Sequence, residues 1–525
     1  MEKKSAVKGQ KLVSEKNQKN LAQKKRAKHD VKNEHSSSKQ APLQSSKPSS
    51  SDMGISVSKN ENFSEWYTQL LQKAELIEYT DVSGCYVLRP RAYAIWEKVQ
   101  QRFNQLIKEA GVKNAYFPLF IPESNLSREA AHVKGFTPEV AWVTHSGETK
   151  LNERLAVRPT SETIMYPAYS KWIRSHRDLP LLMNQWANVV RWEFKNPVPF
   201  LRSREFLWQE GHNVFATEKE LAADTRRALQ WYVTIFEELY AVPVLSGRKS
   251  EQEKFAGADY TLSVETFLPI GKAIQGATSH SLGQNFAKAF NIAFVDKDET
   301  KKYVWQNSWG LSTRSIGVMI MLHSDDKGLV LPPRVAENQV VIVPIFFETS
   351  KELVLRAARQ LQKTLAPFAP LLDDREEVSP GWKFNDWELR GIPVRLEIGP
   401  KDIEKDQVVL VRRDTGAKSF VKIADLATAL TEMLETIQRE LLERARAFLT
   451  QSTVSVKNLV GLKKVIADKK MAFMPWCEQA ACEERMKAET EGAKTLNIPF
   501  DSRAQGLCAV CGKAATVQVY VAKSY

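Results

Sequence analysis

A short part of the sequence carries a high density of arginine, acidic, aromatic and histidine side chains. The run from Val189 to Glu193 predicts a strand, and a proline-bearing loop separates it from a second predicted strand that ends at His212. Side chains at alternate positions of a strand share one face of the sheet. We therefore expect Arg191 and Glu193 to share a face of the first strand. The equivalent face of the second strand would carry Phe206, Trp208, Glu210 and His212.

Such a face is suited to binding a charged ligand. A buried ionisable group is costly unless it is paired, so a sheet face that served only stability would not normally hold so many. A guanidinium group matches phosphate and carboxylate oxygens in a bidentate geometry and stays charged. The pattern favours a functional site, and a surface ion-pair network is the alternative interpretation.

A second candidate site lies near the C-terminus, where four of the five cysteines occur. Cys477 and Cys482 are separated by four residues, and Cys508 and Cys511 by two. Two such close pairs can supply four thiolates to a tetrahedral metal, which favours structural zinc. The first spacing is looser than usual, so a metal-free or vestigial site is the alternative. Cys85 stands apart and is interpreted as a buried thiol.

The elements that must position these residues begin at Phe63, and the chain reads as one large α/β domain to about Pro333. Apolar residues from Tyr93 to Ile107 have helical spacing, and Gly111 ends that helix. A short strand containing Pro118 is predicted at residues 116–121. Helix, glycine and strand together form a recognisable unit.

The middle of the chain alternates strands and helices, which predicts a small separate α/β module. Strands are expected at residues 339–345, 394–398 and 407–412, and helices at 351–365 and 426–448. Residues 454–525, which hold the cysteines, form a third unit.

Composition limits the class of protein. A chain of 525 residues is too long for one ordinary core. Its formal charge of +13 permits a polyanionic partner without proving one. No apolar run is long enough to span a membrane, and the cysteine usage and the N-terminus predict a reducing, cytoplasmic location. Residues 1–60 are rich in Lys and Ser and predict a disordered basic tail, either an RNA-binding arm or a simple leader.

The arrangement Arg-x-Glu, loop, Arg-Glu-Phe at residues 191–193 and 204–206 resembles motif 2 of the class II aminoacyl-tRNA synthetases. The unit from Gly111 to Pro118 is similar to motif 1, and residues 309–318, which include Arg314, are similar to motif 3. The resemblance implies an antiparallel sheet flanked by helices and a homodimer formed through the motif 1 region.

Four further segments resemble the prolyl-tRNA synthetases of archaeal and eukaryotic cytoplasmic type, over about residues 63–525. They are residues 158–162 (RPTSE), 206–212 (FLWQEGH), 254–259 (KFAGAD) and 275–280 (QGATSH). Members of that family end in a small zinc-bearing domain with a terminal Ser-Tyr, as Ser524 and Tyr525 do here. The implied activity is activation of L-proline with ATP and its transfer to the 3'-terminal adenosine of tRNA(Pro), with release of AMP and pyrophosphate.

The resemblance also implies the domains and the nucleotide site. Residues 61–335 would be the catalytic domain, 336–450 the anticodon-binding domain and 451–525 the zinc-binding-like domain. Arg191 would hold the α-phosphate and the reacting carboxylate, Arg202 and Arg314 the outer phosphates, and Phe206 the adenine. The nucleotide and Mg²⁺ site would be completed by Glu193, Ser203, Gln275, Thr278 and Ser312.

For proline, the resemblance implies a small pocket with an acid for the ammonium and aromatic walls for the ring. Thr160 and Glu162 would bind the ammonium, and His280 would lie between proline and ATP. The catalytic residues would be Arg191, Arg314 and His280. A satisfied structural histidine is the alternative for His280. The ring would be enclosed by Trp208, His212 and Phe255. The interval from His212 to Trp309 is too short for an added editing domain.

Two other functional classes compete with an enzyme. A synthetase-like regulatory protein would lack a motif arginine or a pocket acid, and none is missing. An RNA-binding factor that uses the tail and the middle module would leave the ordered Arg, Glu, Trp and His residues unexplained. In the middle module, Trp382 and Phe384 could stack on bases or could belong to the core, so no base contacts are assigned.

Overall fold

The computed structural model describes residues 54–132 and 139–525, and it describes no side chains for residues 128–132. Residues 1–53 of the predicted basic tail therefore lie outside the described part of the chain.

The region up to residue 335 contains seven α-helices among the described residues. They are α1 (Phe63–Lys73), α2 (Pro90–Glu109), α3 (Glu123–His132), α4 (Glu162–Trp172), α5 (Glu218–Thr234), α6 (Asn285–Ala289) and α7 (Arg314–His323). A 3-10 helix at His176–Asp178 and a π-helical turn at Ile235–Leu239 accompany them. Its strands are β1 (Ile77–Tyr79), β2 (Tyr86–Leu88), β3 (Lys113–Asn114), β4 (Phe120–Pro122), β5 (Trp142–Ser146), β6 (Thr149–Val157), β7 (Leu181–Val190), β8 (Glu205–Phe215), β9 (Leu245–Arg248), β10 (Tyr260–Leu268), β11 (Lys272–Gly283), β12 (Ala293–Val295), β13 (Lys301–Tyr303) and β14 (Trp305–Ser312).

The middle region is a five-stranded sheet covered by helices, as the alternating pattern predicts. Its strands are β15 (Val340–Pro344), β16 (Leu371–Leu372), β17 (Val394–Ile398), β18 (Gln407–Arg412) and β19 (Lys418–Lys422), in the order β16-β15-β17-β18-β19. Its helices are α8 (Lys351–Thr364), α9 (Pro380–Leu389), α10 (Pro400–Glu404) and α11 (Leu426–Ser452), with 3-10 helices at Glu348–Ser350, Ala366–Phe368 and Ile423–Asp425. Leucines of α8 and α11 bury against the β15–β17–β18 face.

The C-terminal region contains a four-stranded sheet in the order β20-β21-β24-β22. Its elements are β20 (Thr453–Ser455), α12 (Leu459–Ala467), β21 (Met471–Trp476), α13 (Ala480–Glu489), β22 (Lys494–Thr495), β23 (Ile498–Pro499) and β24 (Val517–Ala522). No α-helix in the described ranges is long and apolar enough to cross a membrane.

The dominant layer of the fold is an eight-stranded sheet in the order β23-β9-β10-β11-β14-β8-β7-β3. Every pairing in it is antiparallel except that of β3 with β7. The predicted antiparallel sheet with flanking helices is thus confirmed. Its outermost strand, β23, comes from the far C-terminal part of the chain, which no local sequence pattern indicated.

Helix α2 shows how the sequence builds the layer behind this sheet. Pro90 occupies the first turn, where its missing N–H costs nothing, and Gly111 follows the helix at φ +85°. One apolar stripe is buried, and its Phe103 stacks on Tyr232 with ring centroids 5.5 Å apart. Phe103 also contacts Trp309 of β14, so the helix fixes the back of the central strands.

The strand predicted at residues 116–121 is wrong for most of its length, because only Phe120 and Ile121 lie in β4. Pro118 cannot donate to a ladder. The backbone groups nearby bond to side chains instead: the Gln185 amide oxygen accepts from the Phe117 N–H at 2.5 Å, and Arg158 Nη1 donates to the Phe117 carbonyl at 2.7 Å.

The strand predicted through Glu193 is also too long. Strand β7 ends at Val190, so Arg191 and Glu193 do not share a strand face as expected. The Arg191 N–H still donates to the Arg204 carbonyl at 2.7 Å, but the Trp192 N–H turns to the Glu139 carbonyl at 3.3 Å. That bond diverts the chain from the sheet into the loop before β8.

Candidate active site

One cavity of about 290 Å³ opens on the face of the sheet formed by β8, β11 and β14. It brings together most of the predicted site residues. Those that line it are Thr160, Glu162, Arg191, Phe206, Trp208, His212, Phe255, Gln275, Thr278, His280, Ser312 and Arg314. The β8 alternation is confirmed, because Phe206, Trp208, Glu210 and His212 all face this cavity.

Arg191 lies at the centre of the cavity wall, immediately after β7. Its Nε donates to the Pro159 carbonyl at 3.1 Å, and its guanidinium lies 5.3 Å from the Trp208 ring centroid. Burial lowers the Arg191 pKa, while the charges of Glu193, Glu162 and Glu210 oppose that shift. The guanidinium is therefore held by a carbonyl and a ring, and it stays free to bind an anion with its terminal nitrogens.

Arg314, the first residue of α7, forms a second cationic wall. Its Nε donates to the Leu201 carbonyl at 3.0 Å. Burial lowers the Arg314 pKa to about 10, and repulsion from Arg191 and Arg202 adds to that effect. Because Arg191 and Arg314 both line the cavity and repel each other, this end of the cavity is favourable for a polyanion.

Three predicted nucleotide-site residues do not line the cavity in the described structure. Glu193 and Arg202 are exposed beside it, and each acts on a lining arginine through its charge. Ser203 is buried and lines a neighbouring cavity that shares Phe206 with the first.

The opposite end of the cavity is acidic and small. The Thr160 hydroxyl donates to the Glu162 carboxylate, and both residues are buried. Behind them, the Glu210 carboxylate accepts from Gln185 Nε2 at 2.9 Å and lies 3.1 Å from His212 Nε2. Burial alone would raise the Glu210 pKa, but the hydrogen bond and charge of His212, with further bonds from Ser161 and Gln185, lower it overall.

His280 of β11 lies opposite Ser308 of β14, which in turn lies opposite His212 of β8. His280 Nδ1 lies 2.9 Å from the Thr261 hydroxyl and its Nε2 lies 3.0 Å from the Thr278 hydroxyl. Burial is the main reason why its pKa is lowered from 6.5 to about 3, and the electrostatic effects of His212 and Arg191 also lower it. The imidazole is therefore neutral at physiological pH, with one ring nitrogen able to donate and the other to accept.

The segment after β9 closes the acidic end. The Phe255 ring lies 4.7 Å from the His280 ring, and Glu253 and Thr261 also line the cavity. The sequence motifs did not indicate Glu253 and Thr261, although both lie within two residues of the run at 254–259 on which the resemblance rested.

The four C-terminal cysteines meet in one cluster. The Cys477 sulfur lies 3.5 Å from that of Cys482 and 3.8 Å from that of Cys511, and the Cys508 sulfur lies within 4.8 Å of the other three. Four sulfurs at about 2.3 Å from a central zinc would be about 3.8 Å apart. The backbone N–H of Lys513 lowers the Cys511 pKa to about 7, which favours a thiolate. The cluster fits the predicted zinc ligand set.

Three family models match the chain in order. A class II tRNA synthetase core domain (G, H, P, S and T) matches residues 143–323, an anticodon binding domain matches 339–433, and a prolyl-tRNA synthetase C-terminal domain matches 461–525.

Comparisons with individual proteins over most of the chain identify its family within the class II synthetases. A proline--tRNA ligase of Natranaerobius thermophilus is 50% identical over 470 residues, covering 89% of this chain and 97% of the relative. A cytoplasmic proline--tRNA ligase of Arabidopsis thaliana is 51% identical over 484 residues, covering 90% and 91%. The chain belongs to the prolyl-tRNA synthetase family.

Membership of the prolyl-tRNA synthetase family confirms the resemblance drawn from the motifs. A "proline--tRNA ligase 2" of Bacillus cereus is similarly related, at 50% identity over 89% of this chain and 97% of the relative. The matched core spans β7, β8, β11, β14 and α7, and it contains every residue that lines the cavity.

Proposed function

We propose that the chain is a proline--tRNA ligase. It activates L-proline with ATP to prolyl-adenylate and transfers the prolyl group to the 3'-terminal adenosine of tRNA(Pro), releasing AMP and pyrophosphate. The observation that carries this proposal is Arg191, which lines one cavity and interacts through its charge both with Arg314 and with the acidic compartment formed by Glu162 and Glu210. A carboxylate and a triphosphate can thus meet at one guanidinium.

Activation requires no covalent bond to the protein. The proline carboxylate oxygen attacks the α-phosphorus of ATP, and the bond to the pyrophosphate oxygen breaks. Positioning and charge stabilisation therefore do most of the work. Arg191 holds the α-phosphate and the carboxylate, and Arg314 with Arg202 holds the outer phosphates.

The remaining nucleotide contacts follow from the same cavity. Phe206 stacks on adenine, and the polar groups of Ser203, Gln275, Thr278 and Ser312 complete the nucleotide site. The Glu193 carboxylate, exposed beside Arg191, suits Mg²⁺, which binds through few carboxylates together with substrate phosphates. When bound with ATP, Mg²⁺ supplies neutralisation of phosphate charge.

The acidic compartment is the proline site. Glu162 and Thr160 bind the secondary ammonium, and Trp208, Phe255 and His212 enclose the ring. His280 stays neutral, so it can hydrogen-bond between proline and ATP without adding a charge. Such a pocket discriminates poorly against smaller amino acids, and no editing domain in the same chain is proposed.

The other parts of the chain serve tRNA and stability. We assign residues 61–335 to catalysis, 336–450 to anticodon binding and 451–525 to a zinc-bearing domain with Cys477, Cys482, Cys508 and Cys511 as ligands. A homodimer through the motif 1 region, a cytoplasmic location and RNA affinity of the basic tail belong to the same proposal.

The test is ATP–pyrophosphate exchange measured with each amino acid in turn, followed by charging of tRNA(Pro) with labelled proline. Exchange should be strongest with proline and lower but measurable with smaller amino acids such as alanine. A folded protein that supports no exchange with any amino acid would instead favour a synthetase-like regulatory role.

A further inference from the structure

The C-terminal region attaches to the large sheet next to the proposed proline pocket. Strand β23 pairs with β9, with Ile498 opposite Arg248. The fully buried Asn497 donates from Nδ2 to the Leu245 carbonyl at 2.7 Å. At Gly247 the two chains approach so closely that a Cβ would lie 2.3 Å from the Ile498 carbonyl oxygen. The attachment is therefore tight and specific in register.

The residues that follow β9, 249–259, form a segment that we call the pocket rim. It carries Glu253 and Phe255, which line the cavity. Its first turn is stabilised by the Ser250 carbonyl, which accepts from the Lys254 N–H at 3.0 Å. Lys249 forms a buried ion pair with Glu265 of β10 at 2.5 Å. One end of the rim is thus anchored within the sheet.

The other anchors of the rim come from the C-terminal region. Ser250 is buried and donates to Glu483 Oε1 at 3.0 Å, while the Thr495 hydroxyl lies 3.2 Å from that of Ser250. Thr495 also donates to Glu483, so the three side chains form one buried network. Glu483 directly follows Cys482 in α13, which ties the network to the cysteine cluster.

A second link is ionic. Lys494 of β22 donates to Glu253 Oε2 at 2.7 Å, and both side chains are largely buried, with exposed fractions of 31% and 22%. Arg248, the last residue of β9 and the one directly before the rim, pairs with Glu478, which directly follows Cys477. Partial burial makes these contacts stronger than fully exposed ion pairs.

From the rim, the contacts continue to the centre of the cavity. The Phe255 N–H donates to the Thr261 hydroxyl at 2.9 Å, and that hydroxyl contacts His280 Nδ1 at the same distance. Displacement of the rim would therefore move the Phe255 wall and loosen the hydrogen bond that orients His280.

We propose that Glu483 and Lys494 of the C-terminal region are positioning residues for the amino-acid pocket, because they hold the pocket rim in the geometry that places Phe255 against His280. This inference rests on the proposed function for the identity of the amino acid. The C-terminal region thereby determines affinity for proline rather than the rate of activation.

The test compares Glu483→Ala, which removes the oxygen that accepts from Ser250 and Thr495, and Lys494→Met in the full chain. Each variant should raise the KM for proline about five- to tenfold while the KM for ATP and the kcat of exchange stay within about twofold. Amide hydrogen exchange of residues 249–259, measured without substrates, should be faster than in the wild type. Lys494→Arg should restore both properties.

Lys463→Met is the matched control, since Lys463 forms a 2.9 Å ion pair with Glu489 in the same region but away from the rim. It should leave KM and hydrogen exchange unchanged, and zinc content should be equal in all variants. The inference would be overturned if amide hydrogen exchange of the rim stayed unchanged in the Glu483 and Lys494 variants, or if their KM values for proline and for ATP rose equally. If the wild-type protein showed no proline-dependent activity, the proposed function would fail. Amide hydrogen exchange would still decide whether Glu483 and Lys494 hold the rim in place.

Discussion

Gly211 of β8 and Trp309 of β14 are opposite each other in neighbouring strands, and a Cβ built on Gly211 would lie 2.1 Å from the Trp309 ring. The indole is 1% exposed and contacts Trp231 with ring centroids 5.5 Å apart. It cannot move aside without disturbing that packing. The sheet beneath the cavity therefore requires a residue without a side chain at position 211.

Gly211→Ala should reduce the free energy of unfolding by about 3 kcal/mol, because overpacking forces strain on a rigid ring. Denaturant unfolding monitored by tryptophan fluorescence measures it. Gly381→Ala is the control, since nothing lies within 4 Å of a Cβ there and the position is in a helix. Equal stability of the two variants would show that Trp309 can relax.

Arg191→Ala should lower kcat/KM for proline-dependent ATP–pyrophosphate exchange by about a thousandfold, because one buried guanidinium serves both reacting groups. Steady-state exchange at saturating ATP measures the effect. Arg191→Lys should recover only a small part of it, since an ammonium lacks the bidentate geometry. The exposed Arg439→Ala should behave as wild type, and near-normal exchange by Arg191→Ala would remove this residue from the reaction.

Stability should fall as the pH decreases below about 6.5. Burial lowers the pKa of His280 to about 3 and that of His323 to about 4, so in the range between about 4 and 6.5 the unfolded chain binds protons that the folded chain does not. The free energy of unfolding then decreases by up to about 1.4 kcal/mol per pH unit for each histidine.

The variant His323→Gln tests the predicted loss of stability at low pH without altering the cavity. His323 Nε2 lies 2.9 Å from the Tyr240 carbonyl, and a glutamine amide can donate to the same oxygen. The free energy of unfolding, measured by denaturant titration at several pH values, should decrease less steeply with falling pH for His323→Gln than for the wild type. An equal pH dependence of the free energy of unfolding in His323→Gln and the wild type would contradict the assignment.

Chelation of zinc should unfold the C-terminal region before the rest of the chain, because metal binding supplies much of the folding free energy of such a site. Limited proteolysis with mass spectrometry should locate the first cuts within residues 451–525. Cys482→Ser should lower the measured zinc content, whereas Cys85→Ser should not. Protease resistance that survives complete chelation would argue against a structural metal.

Local pattern was sufficient for several elements. Alternation along β8 predicted that Phe206, Trp208, Glu210 and His212 share one face, since side-chain direction in a strand depends only on position. Helix α2 was predicted from the helical spacing of its apolar residues, and the strands predicted at residues 394–398 and 407–412 match β17 and β18. The cysteine spacing predicted a four-sulfur cluster, and the sulfurs do come together.

Predictions failed where distant groups satisfy the backbone. Residues 116–119 leave the strand conformation because Gln185 and Arg158, far along the chain, bond to the Phe117 backbone. Strand β7 ends at Val190 because the Trp192 N–H donates to the Glu139 carbonyl outside the sheet. None of these three partners can be predicted from the residues on either side of the affected segment.

The sequence by itself determined the family, the order of the three regions and the charged residue types of the site, because motifs and periodicity are written in neighbouring positions. Only the tertiary structure decided that Arg202 and Glu193 stand beside the cavity, that Glu253 lines it, and that β23 completes the large sheet. The last two outcomes depend on contacts between residues some 250 positions apart, such as Lys494 with Glu253, whose pairing is fixed by the packing of whole elements.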